Sequence, residues 1–150
     1  MKKFLVKAYY LLLPIILGSI VGLLISNSID YNLLNKPPLS PPKIFFPIAW
    51  TIIYILMGIA YLIYKNKEMG RENNTIYYIQ LFVNLIWSII FFVFKWRFIS
   101  ILWIILLDIL IILTMKHLKK YSNISFYLFI PYILWCLFAT YLTIGIFILN

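Results

Sequence analysis

Five apolar runs divide this 150-residue chain, at residues 7–29, 45–65, 74–95, 98–118 and 124–148. Each is long enough to cross a bilayer core of about 30 Å as a helix, which takes roughly 20 apolar residues. None alternates apolar with polar residues, so helices rather than barrel strands are the expected spanning elements. With 65% of its residues hydrophobic and 11% charged, the chain carries more apolar surface than an aqueous core of this size hides. The predicted fold is therefore an all-α membrane protein, a five-transmembrane-helix bundle. The connections leave no room for a soluble domain, so residues 1–150 are read as one membrane domain.

The net charge of +9 is patterned by topology rather than by nucleic acid. With five spans, the N-terminus shares one side with the second and fourth loops. That side carries Lys2, Lys3, Lys7, Lys65, Lys67, Arg71, Lys116, Lys119 and Lys120, against Lys36, Lys43, Lys95 and Arg97 opposite. The bias predicts a cytoplasmic N-terminus. The basic start and apolar body of the first run resemble a secretory signal, but the body is too long and no small-x-small site follows, so the segment is expected to stay as a span. Tyr9, Tyr10, Phe45, Phe46, Trp96 and Tyr121 lie near span ends, where aromatic rings anchor at the headgroup level.

The first connection is the longest and holds Pro37, Pro38, Pro41 and Pro42. Prolines fix their own φ and push the preceding residue away from helix, so this is a stiff connector suited to act as a lid. It leads into a second span with Trp50, Tyr54, Met57 and Tyr61 on one face. In the third span Gln80 and Asn84 share a face with Trp87 and Phe91. Trp135, Phe138 and Leu142 form the corresponding stripe of the fifth. Three such faces suit an apolar ligand pocket with a few polar groups, although polar pairs in membranes also serve as interhelical hydrogen bonds and aromatic stripes as core.

Other polar residues carry less. Asp108 lies mid-span in the fourth run, where a carboxylate is a functional candidate by default or else hydrogen-bonds a neighbouring helix. His117, the single histidine, is read as interfacial, and Cys136, the single cysteine, excludes a disulfide or cysteine metal cluster within the chain. No Ser-His-Asp, Cys-His or glycine-rich phosphate motif occurs, so no catalytic residue and no metal site is assigned. Gly18, Gly22 and Ser26 have small-xxx-small spacing, which admits close approach of a helix from this chain or from a second copy in a homodimer.

Taken together these residues resemble the TspO/translocator protein family, also called tryptophan-rich sensory proteins or peripheral benzodiazepine receptors. The marks are Lys36-Pro37 and Pro41-Pro42; Phe46, Trp50, Tyr54 and Met57-Gly58-Ile59-Ala60; Gln80-Leu81, Asn84, Trp87-Ser88 and Phe91-Phe92; Pro131-Tyr132, Trp135, Phe138-Ala139, Leu142 and Leu149-Asn150. The resemblance spans the chain. It implies a five-helix bundle whose cavity opens toward the first loop and binds protoporphyrin or a haem-like tetrapyrrole, with no obligatory cofactor, as well as benzodiazepine-site ligands. Carried over, Trp50, Asn84 and Trp135 lie around that cavity, with Tyr54, Trp87, Phe91, Phe138 and Ala139 as further lining and Pro37, Pro38, Pro41 and Pro42 as the lid.

The chain departs from the family pattern at Leu39 and Ile44, where tryptophans are usual, at Thr143, where the usual residue is Asn, and at Ile144, a tryptophan in some porphyrin-degrading members. The resemblance therefore implies an integral sensory protein of the bacterial cell membrane that binds tetrapyrroles, ahead of a light-dependent porphyrin-degrading enzyme and of a transporter coupled through Asp108.

Overall fold

The computed structural model describes residues 1–150, and its long elements are all helices: α1 (Lys2–Ile25), α2 (Phe45–Glu68), α3 (Thr75–Ser88), α4 (Arg97–Lys119), α5 (Asn123–Leu128) and α6 (Ile130–Leu149). Five of the resulting segments are long and apolar enough to cross a membrane, Lys2–Ser28, Phe45–Glu68, Thr75–Phe94, Arg97–Lys119 and Asn123–Leu149. They are packed as a ring in which α1 touches α2 and α3, α2 reaches α5 and α6, and α4 closes the circuit between α6 and α3.

Two spans are not the uniform helices that apolar periodicity predicts. The fifth breaks at Phe129 into α5 and α6. Pro131, in the first turn of α6, has no N–H to give and its ring crowds the carbonyl four residues back, so Phe129 N–H closes a tighter turn onto Phe126 O at 3.2 Å. The Ser122 side chain caps α5, accepting from Ser125 N–H at 3.1 Å, and Ser125 Oγ donates across to Ala60 O of α2 at 2.6 Å. The third span ends in a π-helical turn, Ile89–Phe94, before Lys95 takes a left-handed conformation with φ 57°. Arg97 stabilises that turn. Its guanidinium donates to Phe91 O at 2.6 Å, lies 4.3 Å from the Phe91 ring centroid, and pairs with both oxygens of Asp30 at 2.9 and 3.1 Å.

The closest helix pair is α1 and α2. A methyl group placed on Gly58 would collide with the carbonyl oxygen of Leu11, and one on Gly18 would enter the Tyr54 ring. In lipid there is no hydrophobic force between helices, so such close backbone packing supplies much of the association energy. The main core lies toward the basic end, where Tyr61 and Tyr77 stack in parallel at 3.7 Å. At the same end His117 is half-buried and contacts the Tyr64 hydroxyl and Asn74 Oδ1, both at 2.9 Å.

Substituting Gly58 by Ala should push α1 from α2 and cost about 1–3 kcal/mol, the usual penalty for overpacking. Thermal unfolding in detergent checks this: a melting temperature equal to the parent's would mean that the helices are not in contact at Leu11.

Candidate ligand cavity

Four buried side chains join α2, α3 and α6. Gln80 and Asn84, one turn apart on α3, face inward because the opposite face carries Ile79, Phe82 and Ile86. Tyr54 of α2 donates to Asn84 Oδ1 at 2.6 Å, Asn84 Nδ2 donates to the Tyr132 hydroxyl at 2.7 Å, and Tyr132 in turn donates to Gln80 Oε1 at 2.9 Å. Gln80 Nε2 ends the chain on Met57 Sδ at 3.6 Å. Every bond runs in one direction, and all these residues are buried. Because buried polar groups in lipid are costly unless paired, the network fixes the rotation of three helices about their axes.

An aromatic cluster stands on this polar floor. Trp50 stacks on Tyr54 at 5.7 Å between ring centroids, tilts against Trp87 at 6.4 Å and meets Trp135 edge-on at 6.5 Å. Phe46 packs edge-on against both Trp135 and Tyr31. The indole N–H groups of Trp87 and Trp135 are buried without a hydrogen-bond partner.

Beside the cluster lies a cavity of about 770 Å³, within the range of small-molecule sites. Trp50, Tyr54 and Trp87 wall one side, while α1 walls the other with Ile15, Gly18, Val21, Gly22 and Ile25. A second, much smaller space lies across Trp87, Phe46, Tyr31 and Phe92, which border both. Phe91, Ala139, Leu142 and Thr143 line that smaller space.

The expected site residues thus divide between these spaces. Trp50, Tyr54 and Trp87 face the larger one; Phe91 and Ala139 face the smaller; Trp135 and Phe138, 5.8 Å apart, back the cluster; Asn84 lies beneath Tyr54 in the hydrogen-bond chain. The α1 wall was not anticipated. Its sequence signal was the Gly18–Gly22–Ser26 spacing, read as a helix contact; Gly18 does pack on Tyr54, whereas Gly22 opens onto the cavity. Asp108 borders neither space and accepts from Thr140 Oγ1 of α6 at 2.7 Å.

The proline segment is strapped over the end of α6. Tyr141 donates to Pro38 O at 2.7 Å, and Asn35 and Asn150 exchange bonds, N–H to Oδ1 at 3.0 Å and Nδ2 to O at 2.8 Å. Pro37 lies where a side chain on Gly145 would be. Tyr31 donates to Pro41 O at 2.8 Å; burial raises its pKa above the ordinary phenol value, which keeps the donor proton in place. Leu39 turns the segment with φ 67°, a left-handed conformation costly for a branched side chain. None of the four lid prolines borders the larger cavity.

Sequence comparison places these features in context. The profile of the TspO/MBR family matches residues 10–149. The chain is 37% identical over 124 residues to the tryptophan-rich protein TspO of Archaeoglobus fulgidus, covering 80% of this chain and 79% of that one. It is 37% identical over 126 residues to the protein of that name from Chlorobaculum tepidum, covering 80% and 78%. To the tryptophan-rich sensory protein of Cereibacter sphaeroides it is 30% identical over 119 residues, covering 79% and 75%.

Asn84→Leu leaves the Tyr54 proton and the Tyr132 oxygen without a partner and should cost about 2 kcal/mol, whereas Tyr54→Phe should cost about half of that. A double-mutant cycle on thermal unfolding should give a coupling of at least about 0.5 kcal/mol. Strict additivity would mean that the two side chains are not bonded.

Proposed function

The chain belongs to the TspO/MBR family, and from that premise we propose that this multi-pass membrane protein binds a tetrapyrrole such as protoporphyrin, acts as a sensory or regulatory receptor, and accepts benzodiazepine-type ligands in the same cavity. The observation that carries this reading is the cavity of about 770 Å³ beside Trp50, Tyr54 and Trp87. Flat apolar ligands gain most of their affinity from burial against such rings, and a few polar groups orient them. The unpartnered N–H of Trp87, which borders both spaces, supports it further, since a ring nitrogen or carboxylate of a ligand would accept from it. The charge bias of the loops supports a cytoplasmic N-terminus in a cell membrane, with the proline segment on the opposite side.

The contact of Trp50 with Trp135 favours one second reading, a light- and oxygen-dependent degradation of bound porphyrin in which these two indoles give up electrons to the excited ligand. It separates from binding by illumination: product absorption should then grow faster than for albumin-bound porphyrin. Transport through Asp108 has no such support, because that carboxylate is bonded to Thr140 away from the cavity.

Protoporphyrin titration of the purified protein should quench tryptophan fluorescence saturably. Trp50→Ala should weaken binding at least about tenfold, as expected for loss of an aromatic anchor contributing more than about 1.4 kcal/mol. A Trp50→Ala variant that titrates like the parent would place the ligand elsewhere.

A further inference from the structure

The lid is pinned, yet the cavity is not sealed. Its remaining border is made by exposed residues of the first two spans, Ser19, Gly22 and Leu23 on α1 and Pro47 and Thr51 on α2, with Ile44 just before α2. A side chain added to Gly22 would meet nothing within 4 Å. The gap between the two helices is therefore at membrane depth, and no part of the Pro37–Pro42 segment stands in it. Along α1 the cavity runs from Ile15 to Ser26, about 16 Å at helical rise, and it ends where α2 begins.

At that end lies Lys43, the one charged residue on the cavity wall. Its ammonium has no carboxylate partner. All four acids of the chain are engaged elsewhere, Asp30 by Arg97 and Lys95, Glu68 by Lys65, Glu72 by Lys120, and Asp108 by Thr140. Deeper in, the buried and unpartnered indole N–H belongs to Trp87, which borders the same space. A long apolar slot, open sideways to lipid, with an unpaired cation at its membrane-surface end, is complementary to one kind of molecule. That molecule has an apolar body, dissolves in the bilayer, and bears an anionic group at one end.

We propose that the cavity loads laterally from the bilayer through the α1–α2 gap, and that Lys43 selects ligands whose apolar body carries a carboxylate. The choice of probe rests on the tetrapyrrole reading above. Protoporphyrin, a dicarboxylic acid, is compared with its uncharged dimethyl ester, each delivered from phosphatidylcholine vesicles to protein in phosphatidylcholine nanodiscs. Both should bind the parent. Lys43→Met should weaken the diacid about tenfold, in keeping with loss of a charge-assisted hydrogen bond, and leave the ester unchanged. Gly22→Phe, which fills open space rather than a packed contact, should slow association of both at least about fivefold while the melting temperature stays at the parent's value. Equal effects of Lys43→Met on diacid and ester, or parent-like association in Gly22→Phe, would overturn this inference and leave tetrapyrrole binding standing. A parent protein that binds neither porphyrin overturns the binding reading, and this selectivity with it.

Discussion

The directional hydrogen-bond chain from Tyr54 through Asn84 and Tyr132 to Gln80 is the interaction on which the remaining architecture depends. Apolar side chains in a bilayer have no strong preference for protein over lipid, so burial alone does not fix how a spanning helix is turned. Four polar groups that must meet one another do fix it. Once α2, α3 and α6 are locked in rotation, Trp50, Trp87 and Trp135 necessarily project to the same level above the network. The polar floor thus determines the aromatic cluster, and the cluster determines one wall of the cavity.

Against this fixed part, α1 is the variable one. It contacts α2 closely at Gly58 and Gly18, then parts from it toward the first connection, and the cavity is the space left by that divergence. The end of α1 is held by Asp30 and Tyr31, which are bonded to Arg97 and to the proline segment. Charge-assisted pairing at the membrane surface and close glycine packing at depth therefore set the two ends of the divergence. The proline segment belongs to the α6 side of this arrangement, through Tyr141 and Asn150, more than to the cavity side.

The five spans and the inward faces of α2 and α3 were legible because each has a clear physical signature: length against bilayer thickness, and Gln80, Asn84 and Trp87 at helical spacing. What Asn84 does was not legible, since an amide that bridges helices and an amide that meets a ligand have the same spacing and neighbours. The α1 wall escaped notice for a different reason. At membrane depth that helix carries a single polar side chain, Ser19, whose hydroxyl bonds Ile15 O of its own helix, so little marks which face turns inward, and its glycines signal only that something comes close. The break at Phe129 had its cause in plain view at Pro131, but the apolar run continues through it and hides the boundary. The docking of Asn35 on Asn150 spans most of the chain and leaves no local pattern.

The π-helical turn at Ile89–Phe94 has a consequence for how the chain tolerates change in length. Such a turn closes i to i+5 bonds and so accommodates one residue more than the α-helical path between the same points. Deleting one residue there leaves an α-helical path between the same points, so the residues beyond the turn keep their place relative to α3 while those inside it are rotated. The side chains that change are those of the turn itself, among them Phe91 and Phe92 of the aromatic wall, whereas Arg97 stays within reach of Asp30. A one-residue change in length here is thus felt by the aromatic wall and not by α4.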